Sequence, residues 1–136
     1  MLLNSQVSVE YLFIIGFATL LTLPLLLIYY TYTSDTSEAV ATGQALQIAR
    51  NIVDASESVY YLGKPSQTTL RLSFPDGIIS TDLSNYEVVL KVKIKNGIAD
   101  IVQVSSVNMS GSLPISQGLH SITVKAQDGY VQITSN

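Results

Sequence analysis

The chain reads as an α+β protein: one long N-terminal helix, hydrophobic in its first half and amphipathic in its second, packed on a small antiparallel β-sheet of four or five strands. Three observations point there. Residues 11–30 form an uncharged, mostly apolar run. Between residues 35 and 62 apolar side chains recur at spacings of three and four. From residue 67 onward the pattern changes to period-two alternation, punctuated by Asn96-Gly97 and Asp128-Gly129.

The first run is long enough to cross a membrane. Apart from its tyrosines, its only polar side chains are Thr19 and Thr22, and roughly 20 residues at ~1.5 Å each cover about 30 Å, the thickness of a bilayer's hydrocarbon core. A secretory signal has a shorter apolar region, a basic flank and a small-residue cleavage site. Here nothing basic precedes the run and tyrosines follow it, so a retained span is expected. Tyr11 at one end and Tyr29, Tyr30 and Tyr32 at the other fit interfacial anchoring. Pro24 lies inside and is expected to kink the helix without breaking it. Glu10 is a lone acid at the mouth of the apolar segment, a place where a buried, unpaired carboxylate is costly.

Gln6, Ser8, Glu10 and Tyr11 spell Q-x-S-x-E-Y ahead of that apolar helix. This closely resembles the processing site of archaeal type IV pilins with a class III signal peptide. The resemblance implies a prepilin peptidase that cuts between Ser5 and Gln6, with residues 1–5 as the leader. It makes Gln6 the donor of a free α-amine and Glu10 the carboxylate that pairs with the amine of a neighbouring subunit. Residue 5 is Ser where Gly is usual before the cut, and residues 1–5 contain no Lys or Arg. Four residues of helix rise only ~6 Å, so subunits staggered by about that distance bring one amine to the next acid. In such a filament the core is expected to contain Tyr11, Phe13, Ile14, Phe17, Leu20, Leu21, Leu23, Pro24, Leu26 and Leu27. Archaellins share the helix-plus-β plan, but their processing site has a different pattern.

Composition narrows the remaining classes. With 136 residues, 12% of them charged, and a net charge of −3, the chain has no nucleic-acid signature; Lys91, Lys93 and Lys95 alternate along one strand as a solvated face. No cysteine is present, so neither disulfides nor thiolate metal sites enter the reading. His120 is the only histidine, and no nucleophile elbow or phosphate loop occurs. No catalytic site, metal or cofactor is therefore expected, and the chain is not read as an enzyme.

Residues 35–62 carry an apolar stripe of Val40, Leu46, Ala49, Ile52, Val53, Ser56, Val59 and Tyr60 beside polar Gln44, Gln47, Arg50, Asp54 and Glu57. Arg50 is expected to pair with Asp54 and Glu57. Nothing in residues 31–37 breaks a helix, so it is expected to run from about Ser8 to Leu62 and to stop at Gly63 and Pro65. The expected divisions are residues 6–34 as the membrane or filament helix, 35–62 as its amphipathic continuation, and 66–136 as a β-rich head.

In the head, Asn96-Gly97 and Asp128-Gly129 are expected as type I′ hairpin turns. The first would set Lys93 opposite Asp100, Val92 opposite Ile101 and Val89 opposite Val104. The second would set Val124 opposite Ile133 and Ala126 opposite Val131, with Ile122 on the same dry face. A further strand is expected over residues 68–74. Asn108-Met109-Ser110 is an N-x-S acceptor for glycosylation.

The function that follows is a structural subunit of an archaeal type IV pilus, a membrane-inserted precursor that becomes part of an extracellular adhesive filament. Its expected partners are copies of itself, the prepilin peptidase, the membrane before assembly, and the pilus assembly platform with its ATPase. The alternative is a minor pilin-like or membrane-anchored extracellular binding protein that does not form the bulk filament.

Overall fold

A computed structural model describes the backbone from Leu2 to Asn136 and the side chains of all but residues 1–6, 34 and 35. Helix α1 (Leu2–Leu62) is followed by seven strands: β1 (Gln67–Phe74), β2 (Ile78–Ser84), β3 (Glu87–Ile94), β4 (Gly97–Val104), β5 (Met109–Gly111), β6 (Gly118–Ala126) and β7 (Val131–Ser135). The architecture is α+β, as expected. The strands number more than four or five, and they divide into a four-stranded sheet, β1-β6-β7-β5, and a three-stranded sheet, β2-β3-β4. The four-stranded sheet is mixed, because β5 runs parallel to β7. The chain forms two compact units, residues 1–37 and residues 38–136.

Helix α1 continues through residues 31–37 because its hydroxyls turn inward. Thr31, Thr33, Thr36 and Ser37 each donate to the carbonyl four residues back, at 2.9–3.0 Å. Polar side chains that fold onto their own helix need no loop. The end of the helix is set by Gly63, whose positive φ of 74° lets its N–H donate to the carbonyls of Val59 and Tyr60, a left-handed cap that a side chain would strain.

In the second unit α1 contributes Ala45, Ile48, Ala49, Ile52, Val53 and Val59 to a core shared with both sheets. The stripe sits slightly off its expected line. Val40 is exposed, Leu46 and Tyr60 are only partly buried, and the stripe gains Ala45 and Ile48, which the sequence reading left out. Ala45 and Ala49 are both fully buried in this core.

The β6–β7 hairpin has the expected register, Val124 opposite Ile133 and Ala126 opposite Val131, with Ile122 buried on the same face. The β3–β4 hairpin is displaced by two residues. Ile94 pairs with Gly97, so Lys95-Asn96 forms the turn, and Asp100 faces Lys91, Ile101 faces Leu90 and Val102 faces Val89. A two-residue slip preserves the inside–outside alternation, so Val88, Leu90, Val92 and Ile101 are still buried. Neither Asn96 nor Asp128 has the positive φ of a type I′ turn; that conformation belongs to Asn85 (52°) and Tyr86 (67°) between β2 and β3.

Two substitutions probe this packing. Gly111 has a φ of 143°, and a Cβ there would lie 1.9 Å from the Ile133 carbonyl oxygen of its parallel partner β7. Gly111→Ala is expected to cost about 3 kcal/mol or more by forcing β5 off β7, measured by urea unfolding of the detergent-solubilised chain. Ser56 is fully buried in the helix–sheet interface with an unpartnered hydroxyl. Ser56→Ala is expected to raise stability by about 1 kcal/mol in the same assay.

Candidate functional site

The first unit of the chain is a surface rather than a pocket. Tyr11, Phe13, Ile14, Phe17, Leu20, Leu21, Leu23, Leu26 and Leu27, all anticipated as core residues of an assembly, are exposed, as are Leu12, Leu25 and Ile28 between them; Pro24 is exposed as well. At ~100° per residue these positions point in every direction around the helix. A helix apolar on all sides requires an apolar surround. It is long and apolar enough to cross a membrane, and none of its most apolar window is buried within the chain.

Pro24 lies within α1, which is unbroken around it. Its missing N–H leaves the Leu20 carbonyl without its usual donor. Two residues earlier the Thr22 hydroxyl donates to the Ala18 carbonyl at 2.7 Å, so the two polar side chains of the apolar run do not both face outward unsatisfied. Tyr29, Tyr30 and Tyr32 stand exposed at the far end, where aromatic rings with polar tips suit an interface.

Ser8, Glu10 and Tyr11 are exposed on the helix. Ser5 and Gln6 lie outside the residues whose side chains are described. The backbone places Gln6 about one turn before Glu10 on the same helix. The anticipated acceptor Asn108 is exposed in the segment before β5, and its neighbour Met109 is buried. The Asn108 carbonyl accepts from the Val131 N–H at 2.9 Å, which fixes the backbone and leaves the side chain outward.

The polar contacts of the second unit were not legible in the sequence. Glu57, expected beside Arg50, instead accepts from the Ser106 N–H and the Ser106 hydroxyl, both at 2.9 Å, with the Ser105 hydroxyl at 3.5 Å. These donors, the Ser106 backbone first, hold its carboxyl below the usual carboxylate range, with burial acting in the opposite direction. Glu38 accepts from the Lys95 N–H at 2.6 Å. Two helix carboxylates thus hold the segments just before and just after β4. Lys64 pairs with Asp128, the one ion pair among the described residues. The partners are 48 to 64 positions apart in the chain, too far for any local pattern to reveal.

His120 bonds the Ser116 carbonyl at 2.9 Å and meets Phe74 edge-on. Among the described residues no group of three or more His, Asp or Glu side chains is placed to hold a metal ion. Comparison with models of protein families, with curated proteins and with solved structures finds no match to this chain.

Because its carboxyl is depressed in the folded chain, Glu57 contributes stability that is present above the unfolded carboxylate pKa of ~4.3 and is lost as pH falls through the lower folded value. Glu57→Gln is expected to flatten the acid side of the stability profile below about pH 5 and to cost under about 1 kcal/mol at neutral pH, since water screens the site. Urea midpoints measured from pH 3 to 7 check both.

Proposed function

We propose that this chain is a structural subunit of an archaeal type IV pilus, a filament built by packing the α1 segments of many copies side by side, with the β domain displayed outward and surface adhesion as the purpose. The observation that carries it is the apolar surface of residues 11–32, exposed on all sides and preceded by Gln6, Ser8, Glu10 and Tyr11 in the pilin processing pattern. The role is structural and not enzymatic. The precursor lies in the membrane, the prepilin peptidase removes residues 1–5, and the assembly platform and its ATPase draw the subunit into an extracellular filament.

Physical reasoning supports the order of these steps. Some sixteen large apolar or aromatic side chains are exposed between Tyr11 and Tyr32. At ~1.5–3 kcal/mol each their removal from water is worth tens of kcal/mol. Moving them from lipid into a bundle of identical helices gains almost none of this, so extraction needs an external energy source. What the bundle offers beyond lipid is close packing and a partner for Glu10. The Gln6 α-amine created by processing is that partner, and a pair in a low-dielectric core fixes the stagger between neighbours.

The sequon at Asn108 fits the same reading. Its side chain faces outward on the displayed domain, and we assign it as a glycosylation site; the intact mass of subunits from their native cell should exceed that of the bare chain.

Glu10→Ala is expected to leave the β domain folded, with an unchanged urea midpoint, while lowering filament yield by about tenfold or more in sheared cell-surface fractions. A normal yield would remove the pairing role. If no filament is lost on deletion of the gene alone, the chain is a minor or membrane-anchored protein.

A further inference from the structure

The head has two long open strand edges. β4 is the outermost strand of the three-stranded sheet and β1 that of the four-stranded sheet. β2 lies beside β5, and Thr81 on β2 donates to the Leu113 carbonyl at 3.1 Å, so the two sheets meet along that seam and leave β1 and β4 as the far edges. Every second residue of such a strand directs its N–H and C=O away from its neighbour. Among the described residues no side chain of another element hydrogen bonds to the main chain of β1 or β4. Proteins usually blunt edges like these with charges, proline or bulges. Here each has eight residues and one charged side chain, Arg71 on β1 and Asp100 on β4.

The edges match each other. Setting Arg71 opposite Asp100 in an antiparallel register brings all eight residues of each strand into pairs, from Gln67 with Val104 to Phe74 with Gly97. The alternation agrees along the whole length. Gln67, Thr69, Arg71 and Ser73 are exposed, and so are their partners Val104, Val102, Asp100 and Ile98. On the inward side Leu70 meets Ile101 and Leu72 meets Ala99, continuing the apolar face of each sheet. The exposed Ile98, Val102 and Val104 would then be partly covered by the neighbouring strand. A one-residue slip would place exposed side chains opposite buried ones.

We propose that β4 of one copy pairs antiparallel with β1 of the next, in the Arg71–Asp100 register, joining the head domains of adjacent subunits into a continued sheet. The inference rests on the filament reading above. The contact is heterologous, two different surfaces on each copy, which is the type that propagates along a helical array, whereas a β4–β4 contact would close a dimer. Main-chain pairing supplies affinity and the single opposite charges supply register.

The chain has no native cysteine, which makes the test direct. Thr69→Cys combined with Val102→Cys places thiols in register across the contact, whereas Thr69→Cys with Ile98→Cys sets them four residues apart, about 13 Å along the strand. Filaments of each double variant are oxidised mildly and run on non-reducing gels. The proposal predicts a ladder of covalent oligomers from the matched pair, at least tenfold stronger than from the mismatched pair or either single variant. Gln67→Cys with Val104→Cys is a second matched pair and should behave alike. Filaments that form yet give no ladder from either matched pair, or equal ladders from matched and mismatched pairs, overturn the edge contact and leave the filament reading intact. Failure of the unmodified chain to appear in any filament overturns both.

Discussion

The constraint on which the rest depends is the apolar surface of α1 between Tyr11 and Tyr32, which is exposed among the described residues. Its exposure to water would cost tens of kcal/mol, several times the net stability of an ordinary domain. Lipid and a bundle of like helices both satisfy it, and almost equally. A segment with two nearly degenerate homes is suited to a subunit that waits in a membrane and is later moved. In the proposed filament the balance is then decided by smaller terms, above all the company that Glu10 finds.

The second half of the same helix has a different task. Ala45, Ile48, Ala49, Ile52, Val53 and Val59 are core residues of the head, so the strands fold on a surface that α1 provides. A β domain of about 70 residues buries too little on its own to be secure. Carboxylates of the helix also fasten the chain on either side of β4, Glu38 at Lys95 and Glu57 at Ser105 and Ser106. The strand with the most exposed apolar edge is thus also one fixed at both ends. Such anchoring prepares an edge for a partner by reducing what ordering would cost.

Much of this fold could be read from the sequence because its signals are local. The membrane-length apolar run, the continuous helix, the Gly63 stop and the β6–β7 register each depend on residues within a few positions of one another. The β3–β4 register failed for a specific reason. Asn96-Gly97 has the composition of a two-residue turn, but the chain turns one residue earlier, and the type I′ conformation instead falls on Asn85-Tyr86, whose Tyr carries no such signal. The division into two sheets also escaped, since the parallel pairing of β5 with β7 joins segments that no hairpin connects. Of the candidate site, the exposed apolar helix was legible; the Glu57 and Glu38 contacts were not, because their partners lie far along the chain.

The central claim is that residues 11–32 end against copies of themselves, beginning from a processed Gln6. It is tested most directly by sequencing the N-terminus of the chain recovered from its native cells in a detergent-free, high-speed filament pellet. The account predicts that the pelleted chain is polymeric and starts at Gln6. A chain found only as a detergent-dispersed monomer that still starts at Met1 would contradict it.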